Sequence, residues 1–165
     1  MTQQSNNERL SAGIIPLSVA KTWDEAKLEW TLQWVWLSDK YMTCLCEHYP
    51  IVEICELRNS LNGAVTEVGN VCVNKFLRLE SNQVFREIKR IAADATKPLG
   101  LLTIELLHRR KLITEWEIGF LVDTSTKRAI SLSQRQLAKR IELNQRTLRS
   151  VRDYNPSLQI AEGER

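Results

Sequence analysis

The chain has no apolar run approaching the roughly 18–20 residues that cross a bilayer, which argues against a membrane helix. Its first apolar stretch, "AGIIPLSVA", is short and has no basic segment before it, so no secretory signal is expected and an intracellular, cytoplasmic setting is. Histidine is scarce. His48 and His108 are the only two, and neither falls in a meaningful Ser-His-Asp order. The six glycines form no phosphate-cradling loop. Glu115 and Glu117 fall on different helical faces, which argues against joint acid/base work. There is no internal repeat and no low-complexity tract. An enzyme is therefore not expected.

What remains is a globular composition, 43% hydrophobic and 26% charged, with four cysteines. A reducing compartment keeps those thiols free for metal rather than disulfides. Cys44 and Cys46 precede a predicted hairpin. "YPIVEICELRN" reads as a β-branched strand carrying Cys55, "SLNG" as a tight turn and "AVTEV" as the returning strand. Cys72 then opens a short helix, "VCVNKFLRL". Knuckle, hairpin and helix with a cysteine in its first turn is the order of a treble-clef-like zinc site. Amides at a helix start favour the charge of a thiolate-rich centre, and a closed tetrahedral Zn2+ needs four ligands. Cys44, Cys46 and Cys72 supply three. Cys55 is preferred as the fourth because it accounts for every cysteine, with His48 as the alternative. The dithiol spacing of redox helices is absent.

The expected fold class is α+β, a small zinc-bound β-hairpin module packed with an α-helical C-terminal half. Residues 1–20 are expected to be a flexible segment, since 1–13 are polar and aperiodic. Residues 21–80 form the zinc module. It opens with the helix "KTWDEAKLEW", capped by Thr22, and "TLQWVWL" is open between helix and strand. Four of the five tryptophans lie between 23 and 36, as packing residues. Residues 81–155 are helical: Ser81 or Asn82 caps one helix, Pro98 sits in the first turn of the next, Thr114 begins a third and Ser133 caps the last. Residues 156–165 are a flexible tail.

Charge is uneven. From Lys127 to Arg152 eight basic residues face one acid, Glu142, a local charge of +7 on a chain of net +3. Such asymmetry suits a polyanion, or a solvated helix face. Residues 133–151, "SQRQLAKRIELNQRTLRSV", resemble a helix-turn-helix with "ELN" as the turn. Gln145, Arg146 and Arg149 would then reach bases or phosphates, Arg135, Lys139 and Arg140 the backbone, and Arg152 extends the same surface. Glu142 stands where such motifs favour Gly. The competing reading is an ordinary helix opened by "LSQRQ".

The run "CLCEHYPIVEICELRNSLNGAVTEVGNVCVNKF" is similar to a small zinc-finger module of uncharacterised phage and bacterial proteins, with its Cys-x-Cys opening, "RN…NG" hairpin and "VGN-x-Cys-Val" ending. The flanks "EAKLEW" and "ITEWEIGFLVDTSTKR…LSQRQ" extend the resemblance over roughly residues 20–148. Glu47 departs from the family's usual Gly. The resemblance implies a zinc-binding fold in a phage or mobile-element setting within a bacterial host cell, and no reaction. Two function classes follow. One is an accessory protein that binds nucleic acid, DNA before RNA. The other is a protein-binding inhibitor or adaptor of a host nucleic-acid-processing complex, such as an anti-defence factor.

Overall fold

A computed structural model describes residues 5–152; the tail expected at 156–165 lies outside them. Within the segment expected to be flexible, the described residues open with a helix. Helix α1 (Asn6–Ile14) is set by a capping box: the Ser5 hydroxyl accepts from the Glu8 N–H, and the Glu8 carboxylate accepts from the Ser5 N–H at 2.8 Å. Its Leu10 and Ile14, one turn apart, are fully buried. Two apolar anchors in a polar run escape a periodicity scan, and Ser-x-x-Glu was the signal to read.

The expected helix near Trp23 is cut to one turn, α2 (Trp23–Ala26), followed by a tighter turn through Glu29. Thr22 does not cap its backbone; its hydroxyl donates to the Glu25 carboxylate at 2.8 Å. Glu29 is bonded elsewhere, its carboxylate accepting from the N–H groups of Val19 and Ala20 and from the Asn59 amide. The ambiguous "TLQWVWL" is strand, where its aromatic residues pack best.

Strand β1 (Trp30–Met42) pairs antiparallel with β2 (Ile51–Asn59), and β2 with β3 (Val65–Gly69), in a three-stranded meander. Leu32 opposes Leu57 but Trp34 opposes Glu56, so Gln33 is an extra residue, a bulge. Such a slip turns the following side chains to the other face. Trp30, Leu32 and Val35 therefore share one face with Leu57 and Cys55, while Trp34 and Trp36 share the other with Glu56 and Ile54. All five of those β1 side chains are buried, so both faces of the sheet are covered. The β2–β3 turn follows the expected Asn-Gly chemistry, with Gly63 at φ 73°.

Beyond Gly69 the described residues contain helices and no strand. Helix α3 (Asn70–Cys72) widens into a turn over Val73–Leu77, and α4 (Ser81–Ala93), α5 (Leu101–Arg109), α6 (Glu115–Thr124) and α7 (Gln134–Arg152) follow. The fold is α+β, a sheet carrying a tight cysteine cluster packed on a helical half. Thr114 caps α6 with a capping box, and the Ser133 hydroxyl accepts from the Gln136 N–H. Neither Ser81 nor Asn82 caps α4; the buried Ser81 hydroxyl donates to Asn70 Oδ1 at 2.7 Å. Pro98 precedes α5, which starts after Gly100, whose N–H donates to Glu87 at 2.9 Å.

No helix-turn-helix forms at 133–151. Residues 134–152 are one continuous 19-residue helix, and "ELN" lies inside it. The three residues include neither Gly nor Pro, and each is held in the helix. Glu142 accepts from Lys139 and Arg146, its i−3 and i+4 neighbours. Leu143 is buried, and the Asn144 amide donates to the carbonyls of Ala95 and Lys97.

Arg140, 1% exposed, donates to the carbonyls of Thr96, Thr124 and Lys127, tying α7 to the α4–α5 connection and the end of α6. Arg140→Met removes all three charge-assisted bonds and should cost at least about 3 kcal/mol in denaturant unfolding. Arg135→Ala, at an exposed position, should stay within about 0.5 kcal/mol of wild type.

Candidate metal centre

The β1–β2 connection brings Cys44 and Cys46 together by a tight turn. The Cys44 N–H donates to the His48 carbonyl at 2.9 Å, and the Glu47 N–H to the Cys44 carbonyl at 2.8 Å. Glu47 takes φ 68°, the left-handed region where Gly is favoured, so the turn forms despite its side chain and at some cost.

Cys72 arrives from α3. The three thiol sulfurs lie within 4.8 Å of one another and all three residues are buried; those of Cys46 and Cys72 are 3.3 Å apart. Gly69 completes the wall: its N–H donates to Cys44 Sγ at 3.3 Å, and any Cβ there would press on that sulfur and on Ile51. Hydrogen bonds from the Cys72 thiol and from backbone N–H groups outweigh burial and hold the Cys44 thiol at about 5. Donating to Cys44, with burial added, pushes the Cys72 thiol up.

Cys55 is not part of this cluster. It sits in β2 opposite Val35 and Val68, fully buried, and burial pushes its thiol up to about 12 despite a hydrogen bond with Ser81. His48 is exposed and lines the same 300 Å³ pocket as the three cysteines, with Asn6, Glu53 and Asn70. Three convergent thiols fit Zn2+ and give it a structural site of the treble-clef-like kind. The arrangement resembles a structural zinc module rather than an enzyme's active site.

The chain matches no protein-family model, no curated protein and no solved structure at a significant level.

The basic residues divide into two groups. Lys139 and Arg146 are turned inward: both bond Glu117, 5% exposed, and both bond Glu142. Arg146 also donates to the Leu112 carbonyl. All three hold helices together, and for Arg140, which is buried, this corrects its expected role as a contact; Lys139 and Arg146 stay partly exposed. Gln145, Arg149 and Arg152 are exposed at helical spacing on α7 and, with Leu148, line a groove of about 510 Å³. Arg135 is exposed near the start of the helix.

Zinc analysis of the purified protein should find one ion per chain. Cys72→Ser should lose it and unfold the sheet module, because metal binding and folding are coupled in so small a unit. Glu47→Gly should raise stability by about 1 kcal/mol in denaturant melts of the zinc form, since it relieves the left-handed strain.

Burial pushes the Glu117 carboxyl up, but the Thr114 N–H, Lys139 and Arg146 outweigh it and hold the group at about 2. A lowered carboxyl contributes stability above its unfolded value near 4.3, and that stability is lost as pH falls toward 2. The stability advantage of wild type over Glu117→Gln, on the order of 3 kcal/mol at pH 6, should therefore shrink steadily between pH 5 and 2. Loss of zinc in acid is common to both proteins and cancels in the difference.

Proposed function

We propose that this is a small zinc-stabilised accessory protein that binds nucleic acid, DNA ahead of RNA, through the exposed basic face of its C-terminal helix. A phage or mobile-element setting in the bacterial cytoplasm fits the likeness of its "CLCEH…VGNVCV" run. The observation that carries the reading is the face formed by Gln145, Arg149 and Arg152. These side chains make no ion pair among the described residues, whereas the cations facing inward from the same helix are all engaged. Cations left in water beside a groove suit phosphates, and the amide of Gln145 adds a donor and an acceptor for a sugar or base edge. Without a helix-turn-helix, the reading is phosphate-led and carries no sequence preference.

A second reading, a protein-binding inhibitor or adaptor of a host nucleic-acid machine, is favoured by one feature. Trp116 is 66% exposed and stacks on Phe120 with ring centroids 5.6 Å apart, beside a groove of about 350 Å³ that Lys127 and Gln136 also line. An exposed Trp of this kind is a common anchor in protein interfaces.

Reversal of Arg149 and Arg152 to Glu, with Trp116→Ala as the companion variant, separates the two. Duplex binding across a salt series should weaken in the reversal, and the slope should fall by about 0.9 for each phosphate that is no longer neutralised. Trp116→Ala should leave that binding intact. Unchanged affinity in a folded reversal variant would overturn the nucleic-acid reading, and loss of a host-protein complex in Trp116→Ala alone would establish the second.

A further inference from the structure

Three thiols leave a tetrahedral zinc one ligand short. We infer that His48 supplies the fourth ligand, making the centre a Cys3His site closed by the knuckle's own turn rather than by the hairpin strand. The inference rests on the zinc reading of the cluster and names its missing ligand.

Three observations carry it. First, the turn that delivers Cys44 and Cys46 ends at His48, whose carbonyl takes the Cys44 N–H, so the backbone already brings this residue to the rim of the cysteine pocket. Second, the imidazole is exposed and has no hydrogen-bond partner among the described residues, so it can swing to a metal without breaking anything. Third, the other donors nearby are committed. Glu53 is paired with Lys89 and accepts from the Asn70 amide at 2.7 Å. Cys55 is fixed in the central strand between Val35 and Val68, is bonded to Ser81 and does not line the pocket. A strand residue paired on both sides cannot move toward a metal without breaking the sheet, whereas a rim side chain needs only a rotamer change. One neutral imidazole with three thiolates also gives the centre a net charge of −1, where four thiolates would leave −2 in a largely buried site.

The test uses the full-length protein with Zn2+ and with Co2+ in its place. In the zinc form, long-range proton–nitrogen spectra of the two histidines should show one ring nitrogen of His48 shifted to the metal-bound position, with His108 as the internal control. The Co2+ protein should give the ligand-field and charge-transfer bands of three sulfurs and one nitrogen. Cys55→Val, an apolar replacement suited to its strand, should leave both the bands and the zinc affinity unchanged. His48→Ala should alter the bands and weaken zinc by more than the roughly 10- to 100-fold that loss of an outer-shell partner costs. His48→Cys should restore tight binding with a four-sulfur spectrum. A free His48 ring in the zinc form, or bands that change in Cys55→Val and not in His48→Ala, would overturn the inference. So would bands indifferent to both substitutions, because the fourth ligand would then come from solvent. A wild-type protein that binds neither metal refutes the zinc reading itself, a different result from any of these.

Discussion

Three buried sulfurs within 4.8 Å are the constraint on which the N-terminal half depends. Thiolates repel one another at that distance, and burial removes the water that would screen them. Without a cation the hydrogen bond between two of these sulfurs favours Cys44 as the anion and Cys72 as the thiol. A divalent metal turns this repulsion into the strongest bond between the β1–β2 connection and α3. Three strands of 13, 9 and 5 residues make a sheet too small to rely on its own ladder. Its two apolar faces need the helices, and its open end needs the metal.

Order spreads from that centre through polar contacts rather than through apolar packing alone. Asn70, next to Gly69, bonds Glu53 on β2 and accepts from Asn74 and Ser81, which fixes the start of α4. Glu87 on α4 then takes the Gly100 N–H at the start of α5. Arg140 and Asn144 on α7 close the circuit by satisfying the carbonyls of residues 95–97 after α4. Each link pairs a buried polar group that would otherwise cost about 1–3 kcal/mol, so the network is specific as well as stabilising.

The zinc module was legible in the sequence because its signals are local. Asn-Gly fixes a turn, a β-branched run fixes a strand, and the spacing of Cys44, Cys46 and Cys72 around them fixes the cluster. The helical half was legible as helix but not in its endings, since Ser81 spends its hydroxyl on Asn70 and Glu87 reaches thirteen residues on to cap α5. The bulge at Gln33 was hidden, although it decides which tryptophan faces which layer. The least legible feature was charge. Arg135, Lys139, Arg140 and Arg146 look alike in a sequence, yet only the folded chain shows that Arg140 meets three carbonyls and that Lys139 and Arg146 meet Glu117.

That sorting changes what the local charge of +7 means. A charge in contact with a buried carboxylate is part of the fold and contributes little to the field outside, whereas a charge in water adds its whole potential within a Debye length of about 8–10 Å. Lys139 and Arg146 belong to the first kind and Arg149 and Arg152 to the second, while Arg140 spends its donors on three carbonyls inside the fold. Glu117 and Glu142, which hold Lys139 and Arg146 inward, therefore shape the outer surface as well as the interior. With those cations held, the exposed charge of the segment divides between Lys127, Arg128 and Arg135 near the start of α7 and Arg149 and Arg152 at its C-terminal end, where the macrodipole of that helix is negative and already favours arginine. Stability and the proposed contact thus use different residues of one helix. A variant that unfolds the protein and a variant that silences its surface can then be told apart by which row of α7 each one touches.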